Sequence, residues 1–414
     1  MIYIIGAGLT GLTIAHRLAQ DNQVLVLEAN SEPGGLCRDM ELGTGDRVTF
    51  GPHIWYNKTK EHKDFISKYL DIKYMDYYVK LSIDGKIKPA SLFDFPCSVD
   101  NIKRIGSVMP TFMVDADNAA ANFINSVGTK AYEAFFRGYN IKQWGVDPKD
   151  MTGEWLTKRP ITLRKDNKKM FGDLEAGFPK GGYTPLFESL SEGVGVRYDT
   201  KVKCAVFRSG NINSLVLENG DEILVDKKDL VINTGPIDRL MGQELEWRDV
   251  VKVFAKVDKT PDITTYSTTF PNNYRFTRMC NYSKQAGTVL GEGEVLSFAF
   301  PYRHGQSPLV GQPIIDAKEF IEKELEKSAE SYHGIAEEYV YPVPTAKQYN
   351  KAERLFDWAS EVGNLLTIGR QGLYAYISMS NAVEKALMLC DRLGSLDTKE
   401  ARRAFYNEVR GDLW

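Results

Sequence analysis

The sequence predicts an α/β protein: a Rossmann-like domain, an inserted helical domain and a second domain built on a β-sheet. Three observations predict it. The first forty residues run strand, glycine turn, helix, strand and acid. A second apolar run ending in a glycine turn, residues 230–236, comes far along the chain, where a strand would return to the first domain. Residues 97–158 carry helical patterns with few strand signals, while several strand-like runs fall between 246 and 361.

The N-terminal unit carries the most information. Ile2–Ile5 is a short apolar run that breaks into Gly6-Ala7-Gly8-Leu9-Thr10-Gly11, and apolar positions over 12–19 then have helical spacing. A second run, Val24–Leu27, ends at Glu28. This is the dinucleotide fingerprint in its required context. Gly6 allows a tight turn, Gly8 lets a pyrophosphate approach the backbone, and Gly11 lets helix and strand pack closely. The helix N-terminus, which includes Thr10, then faces the phosphates with free N–H groups. Glu28 would accept from a ribose hydroxyl, which argues against a 2′-phosphate.

Ser31-Glu32-Pro33-Gly34-Gly35-Leu36-Cys37-Arg38 follows directly. Two glycines with an arginine three positions after the second form the GGxxR extension of glutathione-reductase-type and amine-oxidase-type flavoproteins. Arg38 would reach the diphosphate or flavin edge while Gly35 admits the cofactor. The plain alternative is a turn followed by a surface arginine. Fingerprint and extension together favour FAD over NAD and make the first unit an FAD-binding domain.

Further along, Gly51-Pro52-His53-Ile54-Trp55-Tyr56 is a loop with a titratable His53 among aromatics, either a structural histidine or a flavin neighbour. Residues 61–72 read as a helix and 79–88 as a hairpin turning at Asp84-Gly85. Residues 135–145 are rich in aromatics, and Tyr139 and Trp144 read either as core or as a stacking site for a base. Residues 159–164 look β-like with a basic end. A helix through Leu190, strands at 196–206, 214–217, 230–233, 250–257, 264–270 and 295–300, and a charged helix over 314–331 follow. Residues 364–376 repeat the strand, Gly-Arg, helix-terminus arrangement, with a helix over about 380–393 after it. The domains therefore interleave: 1–60, 175–245 and 362–395 for FAD; 97–158 helical; 61–96, 159–174 and 246–361 for the second sheet; 396–414 as a tail.

Composition bounds the function class. The 414 residues exceed one usual core, and a net charge of −3 gives no hint of a nucleic-acid or acidic-membrane partner. Five scattered cysteines without CxxC spacing argue for a reducing compartment and against zinc or a disulfide framework. A fingerprint that starts at Met1 leaves no room for a leader, and no apolar run spans a membrane. The expectation is a cytoplasmic protein with no metal; its oligomeric state stays open, a homodimer included.

These pieces, in this order, resemble the bacterial-type UDP-galactopyranose mutase family over nearly the whole chain. The resemblance rests on Gly51-Pro52-His53-Ile54, Lys142-Gln143-Trp144-Gly145, Thr234-Gly235-Pro236-Ile237-Asp238, Phe276-Thr277-Arg278, Tyr341-Pro342, and the segment from Gly369-Arg370 to Tyr374-Ala375-Tyr376. It implies an isomerase that interconverts the pyranose and furanose forms of a nucleotide-linked hexose, most simply UDP-linked, without net redox. Reduced FAD would be the nucleophile, through N5 at the anomeric carbon, with NAD(P)H or a chemical reductant as electron source. It further implies that Arg164, Arg278, Tyr341 and Tyr376 handle the substrate diphosphate, that Tyr139 and Trp144 hold the base, and that His53 and Arg370 lie beside the flavin. Galactofuranose for cell-surface polysaccharide would be the product in that family. Two departures stand out: the family's second histidine is here Tyr56, and its aspartate after the last tyrosine is Ser378. Both suggest another sugar or a diverged activity. An amine-oxidase-like FAD oxidoreductase and a non-catalytic flavin- or nucleotide-binding protein remain as rivals.

Overall fold

The computed structural model describes residues 1–95, 98–110, 117–153, 163, 165, 168–260, 263–285, 290–306 and 309–411. Two sheets organise it. The first has five parallel strands in the order Gly195–Arg197, Val24–Leu27, Ile2–Ile5, Leu230–Asn233 and Leu365–Thr367. Ile4, Val26, Val231 and Ile232 are fully buried, as expected where helices cover both faces of a parallel sheet. The helix Leu9–Leu18 packs on the helix Met379–Arg392, which brings the two ends of the chain together. A Cβ on Gly11 would fall 2.0 Å from the Gly6 carbonyl oxygen, so only glycine lets this helix seat on its strand.

The second sheet has seven strands, in the order Ala329–Pro342, Trp247–Val257, Glu294–Arg303, Arg278–Asn281, Ser267–Thr269, Val79–Leu81 and Phe93–Phe95. Its second strand, Trp247–Val257, is buried at every position. Side chains on one face of this sheet form the floor of the site described below.

The helical region follows the strand Phe93–Phe95 of the second sheet. It includes Val99–Ile105, Ala119–Val127 and a nearly continuous run from Thr129 to Trp144 with a π-helical turn at Tyr132–Arg137. Phe123, Tyr132, Phe135, Phe136 and Trp144 form its own core, against which Tyr341 and Tyr376 pack.

Several expectations need correction. The charged helix ends at Glu324, and Ala329–Pro342 is a strand bonded along most of its length to Trp247–Val257. Its many charges masked that pairing. The hairpin beginning at Val79 does not close at Asp84-Gly85; its second strand is Phe93–Phe95. The segment read as a tail holds the helix Lys399–Gly411, which buries Phe405, Tyr406 and Val409 in the nucleotide-domain core. Ala346–Glu361, assigned to the second sheet domain, is a helix that contributes Ala352 and Phe356 to the same core. Of the β-like reading at 159–164, residues 159–162 and 164 lie outside the described residues.

Candidate active site

A cleft of about 640 Å³ runs along the C-terminal ends of the first sheet, lined in part by Gly6, Gly8, Thr10, Glu28, Gly35 and Arg370. Gly34 donates its N–H to the Ala7 carbonyl at 2.8 Å, bringing the second glycine pair against the first. A Cβ on Gly35 would lie 3.3 Å from the Gly8 Cα, whereas one on Gly8 would project into open space. The helix starting at Leu9 has no side-chain cap and no acid in its first turn. Its leading N–H groups therefore remain available to an anion, and a cradle that a Gly8 side chain would fill lies in front of them.

Glu28 is 5% exposed. Its carboxylate accepts the Ala7 N–H at 2.6 Å and both the N–H and side-chain amide of Asn30 at 2.9 Å. The acid is thus locked across the glycine turn at the cleft wall. Arg38 donates to the Gly35 carbonyl at 2.9 Å and pairs with Glu337 of the second sheet. It bridges the two sheets, already engaged with a carboxylate.

Leu36, His53 and Arg370 line both this cleft and a smaller chamber of about 40 Å³. The His53 ring folds back over Gly51, where a Cβ would collide with its Nε2 at 2.3 Å. This is the structural meaning of the Gly-Pro-His sequence. His53 Nε2 lies 2.5 Å from the Leu36 carbonyl oxygen, which can only accept, so this nitrogen carries the proton. Burial, reinforced by the Arg370 and Lys252 cations, lowers the His53 pKa to about 3. The imidazole is neutral, with Nδ1 left as an acceptor.

Arg278 and Tyr341 line the chamber. Arg278 Nη2 donates to the Tyr139 hydroxyl at 3.2 Å, while its Nε has no hydrogen-bond partner among the described residues. Lys142 fixes the approach to this arginine by donating to the carbonyls of Phe270, Tyr274 and Phe276. Tyr341, Tyr376 and Trp144 form a three-ring cluster with centroids 5.5–5.7 Å apart. Burial, then the neighbouring Tyr376, pushes the Tyr341 pKa up to about 12, so it stays a neutral hydroxyl donor. Arg370 lies over the Tyr376 ring at 4.7 Å and donates to the Ile377 carbonyl at 2.7 Å.

The structure therefore brings together His53, Tyr139, Arg278, Tyr341, Arg370 and Tyr376. Arg164 lies outside the described residues. Trp144, 5% exposed, donates its indole N–H to Asn140 at 3.1 Å and backs the two tyrosines. Of the two departures, Tyr56 stacks on Phe171 at 4.7 Å, its backbone paired to Ala176, and lines neither cavity. Ser378 lines the cleft and caps the helix Met379–Arg392, accepting the Asn381 N–H at 3.2 Å. Aspartate fills that role equally well, so the difference preserves the local fold.

Two residues escaped the sequence reading. Arg248, 9% exposed, donates to the carbonyls of Lys142 and Pro301 and ties the helical region to the second sheet. Lys252, 3% exposed, lines the chamber with no hydrogen-bond partner among the described residues. The available signal was a lysine inside the apolar run 250–257. Among the described residues, no group of three or more His, Cys, Asp or Glu could hold a metal, and the four described cysteines are free. No described helix is long and apolar enough to cross a membrane.

Residues 134–319 match the family model for UDP-galactopyranose mutase, and residues 4–69 match that for an NAD(P)-binding Rossmann-like domain. The chain is 28% identical over 216 residues to the dTDP-fucopyranose mutase of Escherichia coli, a match spanning 48% of this chain and 55% of that protein. It is 22% identical to the UDP-galactopyranose mutase of Mycoplasma pneumoniae, covering 94% of this chain and 95% of that one. Among solved structures, reduced UDP-galactopyranose mutase superposes with a TM-score of 0.78 at 19% identity, over 100% of this chain and 99% of that one. An oxidoreductase from Methanosarcina mazei reaches 0.63 at 14%, over 94% and 99%, so the fold alone does not separate the two chemistries. The chain is thus similar to UDP-galactopyranose mutases along nearly its whole length, and residues 134–319 match that family's model.

Proposed function

We propose that the protein is a flavin-dependent nucleotide-sugar mutase, an isomerase that interconverts the pyranose and furanose forms of a nucleoside-diphosphate hexose without net redox change. The observation that carries this reading is that Arg278, bonded to Tyr139, and Tyr341, packed on Tyr376, line a chamber that shares Leu36, His53 and Arg370 with the dinucleotide cleft. An amine-oxidase-like site would call for mostly apolar, aromatic walls. The largely apolar lining of this chamber also carries Lys252, Arg278, Arg370 and the Tyr341 hydroxyl, a set of cations and a donor that suits a leaving diphosphate.

FAD fits the cleft. Its pyrophosphate would lie against Gly6, Gly8, Thr10 and Gly11 at the uncapped helix, and a ribose against Glu28. Gly35, Arg38, His53 and Arg370 would hold the part nearer the chamber. Bound and reduced, FAD supplies the electron-rich nucleophile that the reaction needs at the anomeric carbon. The remaining work belongs to the chain. Arg278, joined by Arg164, neutralises the diphosphate as it leaves and returns. Tyr341 and Tyr376 donate hydroxyl hydrogen bonds, and neutral His53 offers an acceptor rather than a second charge. Tyr139 binds the nucleotide base, with Trp144 supporting the tyrosines behind it.

The substrate in this reading is a UDP-linked hexose. The likeness to a dTDP-fucopyranose mutase makes a dTDP-linked deoxyhexose the second candidate. We take the enzyme as cytoplasmic and reduced by NAD(P)H or a chemical reductant. The test is incubation of dithionite-reduced protein with UDP-galactose and dTDP-fucose, read by chromatography. A furanose product from either supports the reading, and oxidation of the sugar in its place refutes it.

A further inference from the structure

The strand Trp247–Val257 places Lys252 and Lys256 on the same face, two pleats apart. Lys256 is paired with Asp46 at 2.8 Å, and that pair is buried. Lys252 is buried as deeply but has no acceptor among the described residues. Its ammonium lies 5.6 Å from the ring centres of Phe50 and Phe254. Burial lowers its pKa to about 8, with the nearby Arg278 cation pushing the same way. A buried charge without a partner among the described residues is costly, so the site calls for an anion that those residues do not supply.

Lys252 faces Ala299 on the next strand, and Ala299 faces Arg278 on the one after. Directly opposed residues share a face, so the two cations flank a small residue on the chamber floor. The described chamber walls carry Lys252, Arg278 and Arg370 and no carboxylate. The diphosphate of a nucleotide sugar brings two negative charges, which leaves one of the three cations unmatched. Lys252 lines the chamber with His53, which also lines the cleft, and its charge is felt at that histidine.

We propose that Lys252 is the charge partner of the reduced flavin, matching the negative charge that the ring gains on reduction. This inference rests on the flavin reading above. Two electrons and one proton convert the oxidised ring into its monoanion. Dithionite or NAD(P)H supplies the electrons, and no bond to Lys252 forms or breaks. The lysine stabilises the reduced state because that state carries the charge, so it raises the midpoint potential of the bound cofactor.

The test is the midpoint potential of flavin-loaded wild type, Lys252→Met and Lys252→Arg, measured against redox dyes without substrate. Lys252→Gln serves as a second neutral variant if the methionine form does not fold. Both neutral variants are expected to lose at least tenfold in the reduction equilibrium, about 30 mV for a two-electron couple, while Lys252→Arg stays near wild type. A neutral variant that binds flavin with the wild-type potential overturns the inference and leaves the mutase reading standing. An unchanged potential combined with lost binding of a carboxylated nucleotide sugar overturns it too, by giving Lys252 to the substrate. Wild-type protein that purifies and reconstitutes without flavin overturns the cofactor reading and this inference together.

Discussion

The cleft and the chamber are built on different principles. Backbone shapes the cleft: glycines approach one another, a helix presents its uncapped N–H groups, and Glu28 is pinned by three donors. Such a site exists before its ligand arrives. Side chains shape the chamber, and two of its polar atoms, Lys252 Nζ and Arg278 Nε, have no partner among the described residues. It is an anion site waiting for anions. In the proposed reading, backbone geometry would hold the dinucleotide, while the chamber's side chains would handle the diphosphate.

The sharpest way to break the comparison is to fill the cradle. Gly8→Val puts a branched side chain where a Gly8 Cβ meets nothing, and where the pyrophosphate would pass. We expect colourless, folded protein, read by absorbance; full flavin occupancy would show that the phosphate turn lies elsewhere.

The two lysines give the next contrast. Lys256→Met leaves Asp46 buried and unpaired and should cost about 3–5 kcal/mol in denaturant unfolding. Lys252→Met removes a charge that already lacks a partner, so the flavin-free protein should be no less stable. Because the folded Lys252 pKa is depressed to about 8, the unfolded chain holds that proton more tightly. The stability of flavin-free wild type should therefore rise with pH between about 8 and 10.5, and Lys252→Met should remove that part of the rise. Asp46 behaves in the opposite sense. Burial alone would raise its pKa, but hydrogen bonds from Lys256, Thr44 and Gly291 hold it below the ordinary carboxylate range. Its contribution is present above the unfolded pKa and is lost as acid takes the pH down through the folded value.

A smaller effect is expected at the diphosphate. Arg278→Ala removes charge-assisted hydrogen bonds worth roughly 1.5–3 kcal/mol each, so UDP affinity measured by calorimetry should fall at least tenfold. Unchanged affinity would move the diphosphate elsewhere. The smallest effect is at Ser378. Since it caps a helix, Ser378→Asp should shift stability by about 0.5 kcal/mol or less and leave sugar preference unchanged. A change in preference there would restore it as a sugar-reading residue.

The same contrast explains what was legible in the sequence. Gly6 through Glu28 could be read because a dinucleotide turn imposes residue types at fixed spacing on one contiguous segment. The chamber is assembled from residues as distant as His53, Tyr139, Arg278, Tyr341 and Arg370, and no local spacing predicts that they meet. Only the family likeness gathered them. Lys252 was hidden because a lysine in an apolar strand reads as a surface position until its partners are known. Ala329–Pro342 was hidden because its glutamates and half-exposed pattern lack the alternation of a half-buried strand. Tyr56 was read as a change at the sugar, but its ring belongs to an aromatic cluster with Phe171 and Tyr77.

The central claim is that a reduced cofactor serves a reaction that consumes no electrons. The direct measurement counts turnovers per reducing equivalent, with UDP-galactose and dTDP-fucose as substrates and furanose product followed by chromatography. The account predicts no product from oxidised enzyme, product once it is reduced anaerobically, and many turnovers with the flavin still reduced and no further reductant consumed. Activity in the oxidised enzyme, or one sugar oxidised for each flavin reduced, would contradict it.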